Sequence, residues 1–292
     1  MKNEFLKKAK PYLFIAPALI IFLVFSIYPI ASMIQLSFFE WDFISPTKLF
    51  VGFQNYITLF QDSDFYQTLS NTFVYMILTV GLGILFGVLL ALFLNKKSKV
   101  NSFMQSIIFS PYIVSLASIS FLWMWLMNTD FGLINYILSI FKIGPIDWLG
   151  SPKIALFSLV IISVWKTVGY NTIIILSALQ SIPKHLYEAA SLDKANRRQT
   201  FLKITFPMIS PTLFFLTIVN IIASFKVFDT IQIITQGGPQ NSTNTLVYSL
   251  YEYGFKFYKI GYASTIGVVL LVIISIFTII YFKLLSKKVH YQ

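Results

Sequence analysis

Ser163, Lys166, Thr167 and Tyr170 recur at intervals of +3, +4 and +7 inside a long apolar stretch, so a helix there carries them on one face. A cation, two hydroxyls and a phenol in one row can line an aqueous path or hold a polar ligand. They can equally bond across to neighbouring helices. Asn220 and Ser224, four apart, form a second such row. Tyr112 follows Pro111, which can open a backbone bond and bend a helix. Lys226 and Asp229 also interrupt an apolar stretch, and read either as a pair or as pathway residues. Hydroxyls and amides beside aromatic faces suit a polyhydroxylated, uncharged ligand. Lys166 leaves an anionic derivative open, such as a sugar phosphate, a glycerol phosphate or a uronate.

Covalent chemistry finds little support. There are 0 cysteines and 2 histidines, His185 and His290, which excludes thiolate nucleophiles, disulfides and a histidine-rich metal site. The patterns G-x-S-x-G and H-E-x-x-H are missing, and so is the phosphate-binding G-x-x-x-x-G-K-[ST]. No catalytic residue, metal or cofactor is expected. Gly81, Gly83 and Gly87 lie among leucines and isoleucines with no preceding strand. Gly83 and Gly87, four apart, predict a helix-packing face rather than a nucleotide loop.

The elements that position these residues follow from composition. The 292 residues are 57% hydrophobic and 11% charged. Soluble domains are usually ~45–50% apolar and ~25% charged. Six apolar segments, near 12–34, 71–94, 104–127, 154–179, 208–234 and 261–285, are each long enough to cross a bilayer as a helix. Helix is required, because lipid offers no partner to an open backbone. The first segment follows Lys2, Lys7, Lys8 and Lys10, but its run from Tyr12 to Ile34 is too long for a signal-peptide core, so an uncleaved span is expected. The stretches between spans are too short to bury a core of their own. Residues 1–292 are therefore expected to form one all-α integral membrane domain with six transmembrane helices.

Net charge is +11, and in such a chain it predicts orientation rather than nucleic-acid binding. Lys and Arg concentrate in the N-terminal tail, at Lys96, Lys97 and Lys99, at Lys184, Lys194, Arg197, Arg198 and Lys203, and at Lys283, Lys287 and Lys288. The opposite loops hold Lys48, Lys142, Lys153, Lys256 and Lys259, together with Glu40, Asp42, Asp62, Asp64, Asp130 and Asp147. The bias places both termini in the cytoplasm, with lipid as a partner all round.

The basic loop 181–206 holds a short amphipathic segment after Pro183, which suits a first helical turn. Leu186, Ala189 and Ala190 fall on one face, with Glu188 beside them. By composition alone this is an ordinary loop resting on anionic lipid. The order Glu188-Ala189-Ala190, Asp193, Ala195, Phe201, Ile204, Pro207 and Pro211 resembles the EAA loop of binding-protein-dependent ABC import permeases. Gly237-Gly238-Pro239-Gln240-Asn241-Ser242-Thr243, with Tyr251, Phe255 and Gly261-Tyr262-Ala263, resembles the carbohydrate-uptake branch, in particular subunits like the F-type permease of maltose transporters. Phe131-Gly132 with Asn135, and Gly52 with Asn55-Tyr56, agree with it. The similarity covers residues ~50–265.

That resemblance implies a type I ABC importer permease fold with cytoplasmic coupling helices, in a bacterial inner membrane. It implies a second related permease, two cytoplasmic ATPase subunits and an extracellular or periplasmic solute-binding protein. The EAA loop, here Leu186, Glu188, Ala189, Ala190 and Asp193, would dock in a cleft of the ATPase. A sugar or oligosaccharide would be moved by alternating access. Aligned through the EAA and Gly-Gly-Pro anchors, Tyr112, Ser163, Lys166, Thr167, Tyr170 and Ser224 fall at or beside sugar-contacting positions, with Tyr112 and Tyr170 matching in type. Asn220 joins them by its spacing. Where the family has glycine this chain has Lys194, a strained choice for a left-handed turn, and Asn196 is a better-suited residue two positions on. An ion-coupled carrier using Lys166, Lys226 and Asp229 is the rival class, and a membrane-embedded enzyme a third.

Overall fold

The computed structural model describes residues 2–96 and 98–285, with side chains over 12–96 and 98–283. Lys97, Lys287, Lys288 and His290 lie outside the described residues, as do the side chains of Lys2, Lys7, Lys8 and Lys10.

In chain order the elements are α1 (Lys2–Phe22), α2 (Tyr28–Leu36), a hairpin of β1 (Phe39–Glu40) and β2 (Leu49–Phe50), α3 (Gln54–Gln61), α4 (Ser63–Leu94), α5 (Lys99–Ile113), α6 (Leu116–Leu126), α7 (Leu133–Ile140), α8 (Ala155–Ser181), α9 (Lys184–Leu192), α10 (Arg197–Thr200), α11 (Phe206–Phe225), α12 (Asp229–Ile234), α13 (Leu246–Tyr251) and α14 (Ile260–Leu285). Among the described residues, five helical stretches are long and apolar enough to span a bilayer, and α5 with α6 makes a sixth if the bent pair is one span. The apolar segments read from the sequence are therefore all helical.

Two of those segments are not single straight helices. The third breaks at Val114, and α5 and α6 diverge by 100°. Pro111 has no N–H to bond the Ile107 carbonyl, and the Ser110 hydroxyl donates to that carbonyl instead at 2.9 Å. Val114 is extended (φ −68°, ψ 143°), and Ser115 restarts the helix by accepting the Ser118 N–H at 3.2 Å. The fifth leaves helical geometry at Lys226–Phe228, so Lys226 and Asp229 stand on either side of a break. Among the described residues they form no ion pair.

The chain divides into two compact units. One comprises the chain up to Asp62 with Ser249–Leu271. In it α1 and α2 run on through a π turn, and none of the most apolar part of Tyr12–Leu36 is buried within the chain. The hairpin pairs Phe39 with Phe50 and Glu40 with Leu49. Asn55 ties it down by donating to the carbonyls of Ser37 (2.9 Å) and Phe39 (3.0 Å). Gly261 is required here, because a Cβ would run into the Phe39 carbonyl. Trp41, Gln54, Asn55, Tyr258 and Tyr262 help to line a cleft of about 680 Å³.

The other unit, from Ser63 to Tyr248 and on from Val272, is built on α4 against α8. Gly83 and Gly87 of α4 face Asn171 of α8, and a Cβ at Gly87 would stand 3.0 Å from the Asn171 Cβ. The glycine pair is thus a packing face, as its spacing predicts. Its core joins Ala91, Ile175, Leu176, Leu179, Ile182, Ile209 and Leu216 from α4, α8 and α11 with the chain after α8. The Gly237–Thr243 loop is held on α4, where Asn71 donates to the carbonyls of Asn241 (2.8 Å) and Asn244 (3.0 Å).

Candidate functional site: an aromatic pair and an exposed short helix

The polar row on α8 meets α5 where the third span breaks. Tyr112, in the last turn of α5, lies flat on Tyr170, with ring centroids 4.5 Å apart and planes at 16°. The approach of the two helices is set one residue away. At Gly169 any side chain would strike the Ile108 carbonyl of α5. Tyr112 remains 40% exposed, so the pair keeps an accessible surface. Lys166, one turn before Tyr170, sends its ammonium to the carbonyls of Val114 (2.7 Å), Pro111 (3.2 Å) and Tyr112 (3.2 Å).

The remaining expected residues divide. Ser163 shares a 2.6 Å hydrogen bond with the hydroxyl of Tyr75, which lies on the buried face of α4. Thr167 donates back to the Ser163 carbonyl at 2.8 Å, and its hydroxyl oxygen lies 3.8 Å from where a Cβ at Gly83 of α4 would stand. Asn220 does not join the aromatic pair. It donates to the Asn171 side-chain oxygen at 3.0 Å and to the Leu216 carbonyl at 2.7 Å. Ser224 is buried and bonds the Ile221 carbonyl at 2.8 Å. Thus Tyr112, Lys166 and Tyr170 form one cluster, while Ser163, Asn220 and Ser224 are engaged within the bundle.

Tyr75 and Asn171 were not singled out from the sequence. The signal for them is a stripe of six residues at intervals of four or seven along α4, Thr68, Thr72, Thr79, Gly83, Gly87 and Ala91, all buried. Polar and small residues on that face mark the seam α8 must fill, and Asn171 stands in it fully buried.

The second feature is α9. It begins after Pro183 and ends in a left-handed turn at Lys194 (φ +53°), where the Ala195 N–H returns to the Ala190 carbonyl at 2.9 Å and the Lys194 N–H to Ser191 at 3.1 Å. So Lys194 itself takes the turn. Asn196 is extended instead, and caps α10 in a reciprocal box with Gln199. The face expected of Leu186, Ala189 and Ala190 is split by packing. Ala190 is buried and Leu186 packs on the chain's own core beside Tyr187, whose hydroxyl meets Thr205 at 3.2 Å. His185, Glu188, Ala189 and Leu192 are exposed at i, i+3, i+4 and i+7, with Leu192 85% exposed. Asp193 is exposed at the end of the helix.

The two loop motifs prove to be organised by asparagines. Asn135 donates to the carbonyls of Thr129 (3.1 Å) and Ile146 (2.9 Å), and its oxygen accepts from the Ile146 N–H and the Trp148 indole N–H. Its side chain is fully satisfied. Asn55 plays the corresponding part in its hairpin.

Long apolar spans, a polar-aromatic cluster where the third of them breaks, and a short exposed helix beyond the end of α8 fit a membrane permease. The chain belongs to the family described as the inner membrane component of binding-protein-dependent transport systems, whose pattern matches residues 83–291. It is 36% identical over 91% of its length to a probable ABC transporter permease protein, YurN, of Bacillus subtilis, covering 92% of that protein. It is 34% identical over 93% of its length to the trehalose/maltose transport system permease protein MalF of Thermococcus litoralis, again covering 92%. It is also 34% identical over 97% to the sn-glycerol-3-phosphate transport system permease protein UgpA of Yersinia pestis, covering 96%. A chain of a bacterial ABC transporter for import of the acidic polysaccharide alginate superposes with a TM-score of 0.80 at 26% identity, over 96% of this chain and 98% of that one. The fold is that of type I ABC importer permeases, and the chain is an inner-membrane permease subunit of an ABC importer.

Proposed function

We propose that this permease imports a sugar or oligosaccharide, and that Tyr112 and Tyr170 are its contact with the passing ligand. The observation that carries the reading is the stacked, partly exposed tyrosine pair at the break of the third span. Lys166 lies roughly 16 Å along α8 from its start at 1.5 Å per residue, which is near the helix's middle. Flat aromatic faces with phenol hydroxyls match a ligand of C–H faces and hydroxyls. Thr167 lies on the same row, and Ser163, Asn220 and Ser224 would become available to ligand if the bundle rearranges. All three N–H donors of Lys166 are occupied by carbonyls, which favours a neutral sugar over an anionic derivative. The trehalose/maltose permease among the relatives supports the sugar class.

Energy comes from elsewhere in this reading. Two cytoplasmic ATPases bind this chain and a second related permease, and a solute-binding protein delivers the ligand from outside. The charge bias favours cytoplasmic termini. Helix α9, held by Leu186, Tyr187 and Ala190, would present His185, Glu188, Ala189 and Leu192 to one ATPase, with Asp193 at its edge. A short helix fixed to the bundle transmits rigid-body motion where a slack loop would not. The test is a saccharide screen on the cognate binding protein, followed by uptake into proteoliposomes holding the whole importer. ATP-dependent uptake of a bound neutral saccharide supports the reading. Uptake confined to a phosphorylated or acidic ligand would replace its substrate class.

A further inference from the structure

We infer, resting on the reading of Tyr112 and Tyr170 as the ligand platform, that Lys166 is a positioning residue: its ammonium clamps the open end of α5 and thereby holds Tyr112 against Tyr170. A helix leaves its last four carbonyls without intrahelical donors. Here the next residues cannot supply them, because Val114 is extended and α6 departs at 100°. Lys166 meets the need from another helix. An ammonium carries three N–H donors, and three carbonyls surround it, those of Pro111, Tyr112 and Val114. A cation at a helix C-terminus is also favoured by the helix dipole.

The geometry links this clamp to the aromatic pair. One of the three acceptors is the carbonyl of Tyr112 itself, and the same ammonium lies 5.8 Å from the Tyr112 ring centroid. Gly169 lets α5 come close enough for Lys166 to reach past it. Lys166 and Tyr170 are one turn apart on α8, so a single helix face holds both the backbone and the ring of Tyr112. Without the ammonium, three carbonyls lose their donor, and nothing then ties the open end of α5 to α8 at this point. Tyr112 then loses the hold on its backbone. Lys166 thus acts on the ligand through the platform and not as its counter-charge.

The experiment places 3-fluorotyrosine at position 112 of the full chain, in its importer complex in nanodiscs, and reads the fluorine resonance with no sugar added. Tyr170→Ala provides the position of the unstacked ring. Lys166→Met is expected to move the resonance to that position, and Lys166→Arg, which also donates several N–H bonds, to restore the parent one. A parent resonance in Lys166→Met overturns the inference. Should that variant fail to assemble, Lys166→Gln is read instead, with a shift toward the unstacked position expected and an unchanged resonance overturning the inference. The readout needs no transported sugar, so a failed saccharide screen would remove the sugar reading while leaving the clamp standing or falling on its own signal.

Discussion

Glu188 and Ala190 stand two residues apart on α9 and face opposite ways. Ala190 is 8% exposed, on the side where Leu186 and Tyr187 pack on the core, and Glu188 faces solvent. The helix therefore has a seat and a free face. Ala190→Trp must force its ring into the packed seat, where overpacking typically costs ~1–3 kcal/mol. We expect it to lower the melting temperature of the purified permease chain, free of its ATPase. Glu188→Ala and Leu192→Ala, on the free face, should leave it within about 0.5 kcal/mol. Equal losses from both faces would show that α9 is not seated as described.

Lys194 carries a left-handed backbone at the end of α9, a conformation that costs a non-glycine residue roughly 1 kcal/mol or more. Lys194→Gly removes that strain but gives back part of the gain as unfolded-chain entropy. The expected result is a change between zero and about 1 kcal/mol of stabilisation, measured by thermal unfolding. Lys194→Val should destabilise, since a β-branched residue suits the turn worse. Stabilisation by valine would contradict the turn.

Helix approach supplies a third test. Gly169→Ala drives its Cβ into the Ile108 carbonyl, which is backbone and cannot swing aside. The loss expected is ~1–3 kcal/mol of stability, with reduced uptake because the aromatic pair sits one residue away. Gly81→Ala is the control on α4, where an added Cβ meets nothing within 4 Å. It should be neutral or slightly stabilising through helix propensity.

Asp42 offers a pH test outside the spans. It accepts the N–H groups of Ser45 (2.7 Å) and Ile44 (3.0 Å) and the Ser45 hydroxyl (3.0 Å). The Ser45 N–H, above all, holds its carboxyl below the ordinary value of 3.8. A lowered folded-state pKa means the bonds favour the charged form, so their contribution is complete above 3.8 and is lost as pH falls through the folded value. Trp41, whose indole donates to the Ser45 carbonyl at 2.9 Å, reports the turn. Its fluorescence, isolated as the difference from a Trp41→Phe variant, should stay constant down to 3.8 and change below it. A change centred near neutrality would contradict the assignment.

The apolar spans were legible because each is a long run with few charges, and length alone separates it from the loops. Gly83 and Gly87 were legible for the same local reason. The site was only partly so. Pro111 announces a bend, but the break falls at Val114 because Ser115 caps a new helix there. The grip of Lys166 on α5 depends on the approach at Gly169, a relation between residues on separate helices that no spacing within one helix encodes. On α9 the sequence allows a face of Leu186, Ala189 and Ala190 and a face of His185, Glu188, Ala189 and Leu192. Only the packing of Leu186 and Tyr187 on the core formed by α4, α8 and α11 selects the second as free. Intrinsic preference favours Asn196 over Lys194 for the turn, yet the bonds from Ala195 and Lys194 back to α9 fix it at Lys194.

The most direct test of this chain as an ATP-driven permease is capture of the affinity-tagged chain from its own membranes, scored by bound ATP hydrolysis. Wild type and Tyr112→Ala should retain the ATPase equally, because Tyr170 lies roughly 16 Å along α8 from its end at Ser181, beyond which α9 begins. Glu188→Ala should lose at least tenfold in ATPase retention, equivalent to ~1.4 kcal/mol, since breaking a desolvated charged contact costs ~2–5 kcal/mol. Wild-type chain with no ATPase bound, or full retention by Glu188→Ala and Leu192→Ala together, would contradict the account of α9 as the contact with the motor.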